Sequence, residues 1–355
     1  MIMGSMYQSS GRVRLGFLPH IYGQQKLKTE LSRLVEENRL PHTMIFYGDE
    51  GLGKTTAALD LSGALTGQDV WKETRPWFHN PAFEKELVLI AADDQVWYIR
   101  PVGMELKIEQ FRLFLDAMPS FDGRPHICII DEAQTMMPAI ANAMLKTLEE
   151  PEGNVYFVLI THDLDALLPT IISRGERFAF FPLARNDYGA LLSAFPEEFH
   201  IRDGEDIGQA FLLSEGNPGM TKEMFGEEGM PQPETAMAFW ELVTESDIPF
   251  SKGMEVLPED RKEFRKWLRW LILVGRDLMV TAAAPDGRME RCRQVAERER
   301  RIAPEWNGGR AEEALEVLKT ADAACRRYIS IKNIWDMVLI SLVHIRKGQY
   351  TWNRW

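Results

Sequence analysis

Residues 48–55 read GDEGLGKT and fit the pattern G-x-x-x-x-G-K-[ST]. Glycines at these positions let the backbone turn tightly, so that its N–H groups point at phosphate oxygens, and a following helix adds its positive N-terminal end. In such a loop the lysine reaches the β- and γ-phosphates and the hydroxyl residue ligates Mg²⁺. The pattern therefore predicts a site for ATP and Mg²⁺, with these binding residues: Gly48, Gly51, Gly53, Lys54 and Thr55.

A second acidic element follows the apolar run ICII at residues 127–130, which is typical of a buried strand. Asp131 and Glu132 come directly after it. In P-loop ATPases the first acid of such a pair positions Mg²⁺, and the second orients or activates the attacking water. Asp131 is therefore a candidate Mg²⁺ contact beside Thr55, and Glu132 is a candidate catalytic residue. Surface Asp-Glu turns are common, so this interpretation depends on the phosphate loop.

The elements that would position these residues alternate along the first half of the chain. Short apolar runs predict strands, and longer stretches with helical spacing predict helices. This alternation indicates an α/β fold with a parallel sheet. Beyond residue 182 the pattern becomes mixed helix and loop, then a Gly/Pro-rich linker at 226–235, then helices only. The strands are predicted at 43–47, 87–91, 96–99, 126–130, 155–160 and 177–181, and the helices at 20–40, 108–118, 138–150 and the segment after the phosphate loop.

The composition limits the classes of protein that the chain can belong to. With 355 residues, 45% apolar and 26% charged, it is long enough for two or three domains and is not disordered. No stretch approaches the roughly 18 unbroken apolar residues of a membrane helix, and the start lacks the apolar region of a secretory signal. Three cysteines cannot form a disulfide framework, so we expect a cytoplasmic protein. The net charge of −12 argues against a surface that grips nucleic acid throughout.

Three further runs resemble the bacterial clamp-loader ATPases of the AAA+ class. They are YGQ at 22–24, NAMLKTLEEP at 142–151 and LLPTIISRG at 167–175. The resemblance covers about residues 17–220 well and the C-terminal third only in its helical style. Within the family, the delta-prime subunits of the DNA polymerase III holoenzyme are the most similar, and the tau/gamma subunits are the close rival.

The resemblance implies a domain organisation, site residues and partners. It implies an AAA+ P-loop domain at 12–182, a small helical lid at 183–225 and an all-helical oligomerisation, or collar, domain at 236–355. It implies that Arg174 is an arginine finger acting in trans on a neighbour's ATP, and that Thr161 senses the γ-phosphate. The implied partners are tau/gamma and delta subunits in a hetero-pentamer, the sliding clamp, and primer–template DNA through the complex, with no membrane.

Three departures from the family pattern bear on the function. Residues 56–127 contain no cysteine, so the family's four-cysteine zinc module is impossible there. Gly175 replaces the cysteine after the finger arginine. Residues 216–220, GNPGM, lack the arginine of ATP-hydrolysing members, which favours delta-prime and leaves open whether the chain hydrolyses ATP. The alternatives are a tau/gamma-type motor subunit and a structural loader scaffold with a vestigial nucleotide loop; an unrelated P-loop kinase has no use for the S-R element.

Overall fold

The described residues of the computed structural model form two compact units. One holds the residues up to Leu191 together with Gly216–Gly219, and the other holds Leu192–Glu215 and the residues from Met220 on. The predicted division into a P-loop domain, a lid and a collar stays a prediction. The structure describes residues 17–78, 80–83, 86–103, 105–118, 122–149, 153–201, 204–225, 233–245, 258, 260–284, 292–307, 309–326 and 329–349.

The first unit is built on a six-stranded sheet. Its strands are β1 (Thr43–Tyr47), β2 (Val88–Ala91), β3 (Val96–Ile99), β4 (His126–Ile130), β5 (Val155–Thr161) and β6 (Glu176–Ala179). Their order across the sheet is β2-β3-β4-β5-β1-β6. All neighbouring pairs run parallel except β2 and β3, which form an antiparallel hairpin at one edge.

Apolar side chains on both faces of the central strands explain why the sheet is covered by helices. Along β1, Phe46 packs in one core cluster with helix residues such as Leu61, while Ile45 packs in a second cluster with Phe111. A parallel sheet that is apolar on both faces must be buried on both. The helices of this unit, of which α7 has its last three residues in the second unit, are α1 (Gln25–Glu36), α2 (Lys54–Thr66), α3 (Val70–Thr74), α4 (Ile108–Ala117), α5 (Pro138–Glu149), α6 (Pro169–Ile172) and α7 (Arg185–Ala194).

The predicted fold class is confirmed, with corrections to single elements. The expected parallel sheet carries one antiparallel strand, β2, because a tight turn with positive φ at Ala92, Asp93 and Asp94 reverses the chain. The helix predicted at 20–40 is shorter, since Gln24 before it is left-handed and the helix ends at Glu36. The last strand begins at residue 176 and ends at 179 rather than spanning 177–181.

The second unit is helical. Its core contains a cluster of aromatic side chains, in which the ring centres of Trp267 and Trp335 are 4.6 Å apart and Phe239 packs on both. The predicted linker at 226–235 is too long, because a helix begins at Pro233; residues 226–232 lie outside the described residues. The remaining helices, of which α10 has its first two residues in the first unit, are α8 (Pro196–Phe199), α9 (Gly204–Ser214), α10 (Pro218–Phe225), α11 (Pro233–Glu245), α12 (Arg261–Ala283), α13 (Ala296–Ile302), α14 (Arg310–Arg326) and α15 (Ile331–Arg346).

Short 3₁₀ turns also occur among the described residues. Three of them belong to the first unit: Arg75–Phe78, Pro81–Phe83 and Ala133–Thr135. Among the helices that the structure describes, none is both long and apolar enough to cross a membrane. Cys128 and Cys325 are buried, as the apolar patterns around them predict.

Replacing Gly275 by alanine is expected to destabilise the second unit. A Cβ on this residue of α12 would lie 2.6 Å from the Trp240 ring and 3.2 Å from Leu315, and the ring is held by its own hydrogen bond to the Leu271 carbonyl. Overpacking of this kind costs about 1–3 kcal/mol. Thermal unfolding followed by circular dichroism measures the loss, with Ala283→Leu, exposed at the end of the same helix, as the control. Equal stability of Gly275→Ala and the wild type would contradict this packing.

Candidate functional site

Glycines shape the loop between β1 and α2. Gly48, Gly51 and Gly53 have φ values of 136°, 81° and 88°, a region that side chains with a Cβ rarely adopt. Gly48 also lies against the residue that follows β6, because a Cβ on Gly48 would come within 2.4 Å of the Phe180 carbonyl oxygen. The loop therefore keeps its path only with glycine at these positions, as the sequence pattern predicts.

The side chain of Lys54 folds back into this loop from the first turn of α2. Its Nζ donates to the carbonyl oxygens of Gly48 and Asp49, both at 2.6 Å, and the residue is buried. Burial lowers the pKa of Lys54 from its ordinary value, and the carboxylate of Asp131 is the largest of the nearby charges that oppose this shift. A cation held inside a ring of backbone groups can exchange its carbonyl partners for phosphate oxygens.

The sheet order brings the second motif to the same place. Strand β5 lies between β1 and β4, so the carboxyl ends of all three parallel strands meet at one edge. There the Thr55 hydroxyl donates to Asp131 Oδ2 at 3.1 Å, although the two residues are 76 positions apart. A hydroxyl and a carboxylate are the hard oxygen ligands that Mg²⁺ prefers. Thr55 and Asp131 therefore fit a Mg²⁺ ion that accompanies a nucleotide in the loop.

Glu132 follows in a left-handed backbone conformation, with φ at 48°. Its backbone N–H donates to Asp131 Oδ1 at 2.9 Å, and its side chain is exposed. The turn thus directs the two neighbouring carboxylates differently: Asp131 is partly buried and hydrogen-bonded, whereas Glu132 faces solvent. An exposed carboxylate next to the metal candidate is chemically suited to orient a water molecule.

Thr161 ends β5 and is buried. Its Oγ1 lies 2.9 Å from Gln134 Oε1 and accepts from the Asp163 N–H at 3.0 Å. Gln134 also reaches His162, whose Nδ1 is 3.0 Å from the glutamine Nε2 and 3.5 Å from a carboxylate oxygen of Glu50 in the phosphate loop. Side chains therefore connect the end of β5 with the loop after β1.

Residues 216–219 pack directly on the phosphate loop. The Gly219 N–H donates to the Gly51 carbonyl at 3.0 Å, and the Asn217 side chain donates to the Glu50 carbonyl at 2.8 Å. A Cβ added at Gly219 would come within 2.3 Å of Gly51 Cα. The backbone of Gly219 is thus in contact with the backbone of Gly51. Gly219 lies in the segment where the family resemblance leads us to expect an arginine.

Arg174 lies apart from these residues. It is exposed, follows the short helix α6 and precedes β6, and its guanidinium donates to the Thr170 carbonyl at 2.7 Å. Because β6 runs parallel to β1, the start of β6 is at the edge of the sheet opposite to the phosphate loop. Gly175 beside it packs on β1, where a Cβ would come within 2.6 Å of Ile45. The structure therefore does not bring Arg174 to the site formed by Lys54 and Asp131.

Tyr98 is a site residue that the sequence patterns do not reveal. Its phenol donates to Asp131 Oδ2 at 2.5 Å from the neighbouring strand β3. Burial, followed by the charge of Asp131, raises the pKa of Tyr98 well above its ordinary value, so the phenol keeps its proton and remains a donor. The sequence signal for Tyr98 is a residue with a polar tip near the end of a predicted strand. This signal is not sufficient, because the order of strands in a sheet cannot be predicted from one sequence.

Comparisons with known proteins show which proteins this chain is similar to. A family model described as DNA polymerase III, delta subunit, matches residues 23–184. Replication factor C subunit 3 of Saccharomyces cerevisiae is 30% identical over 166 residues, which cover 47% of this chain and 43% of that protein. A replication factor C small subunit of Methanococcus maripaludis is 25% identical over 251 residues, 69% of each chain.

A third relative, DNA polymerase III subunit gamma of Buchnera aphidicola, is 33% identical over 158 residues, 43% of this chain and 42% of that protein. The chain spans only about half the length of the first relatives it matches, from 43% to 54% of the three replication factor C subunit 3 proteins. These matches are similarities to subunits of replication factor C and of DNA polymerase III, and the family model covers residues 23–184 of the chain.

Replacing Gly219 by alanine is expected to push residues 216–219 away from the phosphate loop. Both groups in contact are backbone, so neither can yield by a side-chain rotation, and we expect a loss of about 1–3 kcal/mol in the stability of the first unit. Thermal unfolding and hydrogen exchange of the amides in residues 48–55 measure the effect. Asn217→Ala, which removes the hydrogen bond to the Glu50 carbonyl without a clash, is the comparison and should cost about 1 kcal/mol. Unchanged protection in Gly219→Ala would show that the contact does not exist.

Proposed function

We propose that this chain is a subunit of a clamp loader, similar to delta-prime of the DNA polymerase III holoenzyme. In this proposal it helps a pentameric ATPase with tau/gamma and delta subunits place a sliding clamp on primer–template DNA. The chain binds ATP with Mg²⁺ in its own phosphate loop. It also presents Arg174 to ATP that a neighbouring subunit holds. Its helical C-terminal part contributes to a collar of subunits.

The position of Arg174 carries this proposal. A guanidinium that served its own nucleotide would have to lie near Lys54, at the carboxyl edge of the sheet. Arg174 is instead exposed before the first residue of β6, at the opposite edge. The arginine of an S-R element in this place is accessible to a second protein. The names of the relatives, which are replication factor C subunits and a DNA polymerase III gamma subunit, support a clamp loader as the assembly.

The remaining predicted residues have roles in the chain's own site. Lys54 binds phosphate oxygens, and the loop N–H groups shaped by Gly48, Gly51 and Gly53 surround them. Thr55 and Asp131 hold Mg²⁺, which when bound neutralises phosphate charge.

The last two predicted site residues, Glu132 and Thr161, act beside the bound phosphates. Glu132 orients water, because its carboxylate is exposed next to Asp131. Thr161 responds to the terminal phosphate through its hydrogen bonds at the end of β5.

Binding of ATP without efficient turnover is the state that we favour for this chain. Residues 216–219 supply no arginine to the phosphates, and Gly219 packs on Gly51 where a side chain has no room. The complete phosphate loop and acidic pair favour the second candidate, an ATP-hydrolysing subunit of the tau/gamma type. ATPase activity of the isolated chain distinguishes the two, since only the second candidate has it.

Replacing Lys54 by alanine is expected to weaken binding of a fluorescent ATP analogue by at least about 100-fold, because two or more charge-assisted hydrogen bonds to phosphate are lost. Fluorescence anisotropy of the purified chain measures the affinity. Lys72→Ala removes an exposed lysine of the same unit and should leave the affinity unchanged. If the wild type fails to bind the analogue at millimolar concentration, the loop is vestigial and the scaffold alternative stands.

Replacing Arg174 by alanine is expected to lower the ATPase activity of the assembled complex by about 10³-fold at the affected site, because the transferring phosphoryl group loses a positive charge. The complex is first recovered from a native lysate with the tagged chain and its partners are identified. The variant should still assemble, since the Arg174 side chain is exposed.

Arg177→Ala is the matched control for this experiment, because it removes an exposed arginine three residues away on β6. Unchanged turnover of the Arg174→Ala complex would remove the finger role. Recovery of partners that include neither loader subunits nor a sliding clamp would overturn the clamp-loader proposal itself.

A further inference from the structure

The segment between α2 and β3 has no role in the proposed function. It replaces the four-cysteine module that the family resemblance leads us to expect, and it carries Trp77 and Phe78 in a 3₁₀ turn. Trp77 is 6% exposed, so its ring is part of the core of the first unit. The Trp77 ring therefore packs against other buried side chains of this unit.

The ring that Trp77 and Phe78 contact is Tyr98. The centres of the Trp77 and Tyr98 rings are 6.0 Å apart, and Phe78 meets Tyr98 edge to face at 5.6 Å. Tyr98 is 3% exposed, so these contacts and the packing of the sheet leave its ring little freedom to move. The phenol oxygen of a ring held in this way has a defined position.

That phenol is a hydrogen-bond donor to Asp131. It lies 2.5 Å from Oδ2, the same oxygen that accepts from the Thr55 hydroxyl at 3.1 Å, while Oδ1 accepts from the Glu132 N–H at 2.9 Å. The backbone of Asp131 is tied to the same strand, since its N–H donates to the Ile99 carbonyl at 2.8 Å. Both the main chain and the carboxylate of Asp131 are therefore fixed by β3.

We propose that Tyr98 is a positioning residue for the Asp131 carboxylate, and that Trp77 and Phe78 hold Tyr98 in place. This inference rests on the proposed binding of ATP with Mg²⁺. Partners that orient a metal-binding carboxylate typically change metal affinity by 10–100-fold when they are removed. Trp77 and Phe78 thus contribute to the nucleotide site indirectly, through the hydrogen bond from Tyr98 to Asp131.

The test measures how strongly Mg²⁺ improves nucleotide binding. A fluorescent ATP analogue is titrated into the full chain in excess Mg²⁺ and again in EDTA, and the ratio of the two dissociation constants gives the coupling between metal and nucleotide. Tyr98→Phe keeps the ring and removes the hydroxyl. We expect the ratio of dissociation constants to be about tenfold smaller in this variant than in the wild type. Its affinity in EDTA should stay within about twofold of the wild type, because Asp131 acts on the metal and not on the phosphates.

Two further variants separate positioning from general stability. Tyr156→Phe removes a phenol at the start of β5, where its oxygen is 3.3 Å from Asn154, and should not alter the coupling. Trp77→Leu should lower the coupling in the same direction as Tyr98→Phe but by less, because the hydroxyl remains and only its support is weakened. Thermal unfolding of each variant confirms that the fold is retained.

The outcomes distinguish this inference from the function on which it rests. A wild-type chain that binds the analogue neither with Mg²⁺ nor in EDTA overturns the nucleotide proposal and this inference with it. A wild-type chain that binds with clear Mg²⁺ coupling, together with a Tyr98→Phe variant of equal coupling, overturns this inference alone. Equal losses of coupling in Tyr156→Phe and Tyr98→Phe would also overturn this inference alone.

Discussion

The hydrogen bond from the Thr55 hydroxyl to the Asp131 carboxylate joins two motifs that are 76 residues apart. It exists because β5 pairs in parallel with both β1 and β4, so the residue after each strand emerges at the same edge. Register is as important as order. A slip of one residue in β4 would turn Asp131 to the other face of the sheet, away from α2. In the observed register Ile130 pairs with Ile99 of β3 and Leu159 of β5, and Asp131 after it reaches Thr55 of α2.

The same strand order separates Arg174 from the loop. A residue at the start of a parallel strand and a residue at the end of its neighbour lie at opposite edges, and β6 beside β1 meets this condition. A chain built in this way has one face that can hold a nucleotide and another that can offer a guanidinium. These faces cannot serve the same phosphate within one molecule. If both are functional, the chain needs neighbours, which gives a physical reason why such a protein would act in an oligomer.

Much of the site could be predicted from the sequence, because phosphate binding places demands on consecutive residues. The glycines, Lys54 and Thr55 lie within eight consecutive residues, and Asp131 follows a short apolar run with three isoleucines, which favours a strand. Tyr98 could not be predicted, since its role depends on β3 lying beside β4. The antiparallel direction of β2 was missed because the apolar runs of β2 and β3 do not reveal the direction of a strand, and only the turn at Ala92, Asp93 and Asp94 reverses the chain.

The contact between Gly219 and Gly51 bears on why a complete loop need not turn over ATP. An arginine at position 219 would need space for its Cβ, whereas here a Cβ would come within 2.3 Å of Gly51 Cα. The segment instead donates its own N–H to the Gly51 carbonyl and the Asn217 amide to Glu50. These bonds stabilise the shape of the loop but bring no positive charge to a transferring phosphate. Loop geometry and transition-state charge are separate requirements, and residues 216–219 serve only the first.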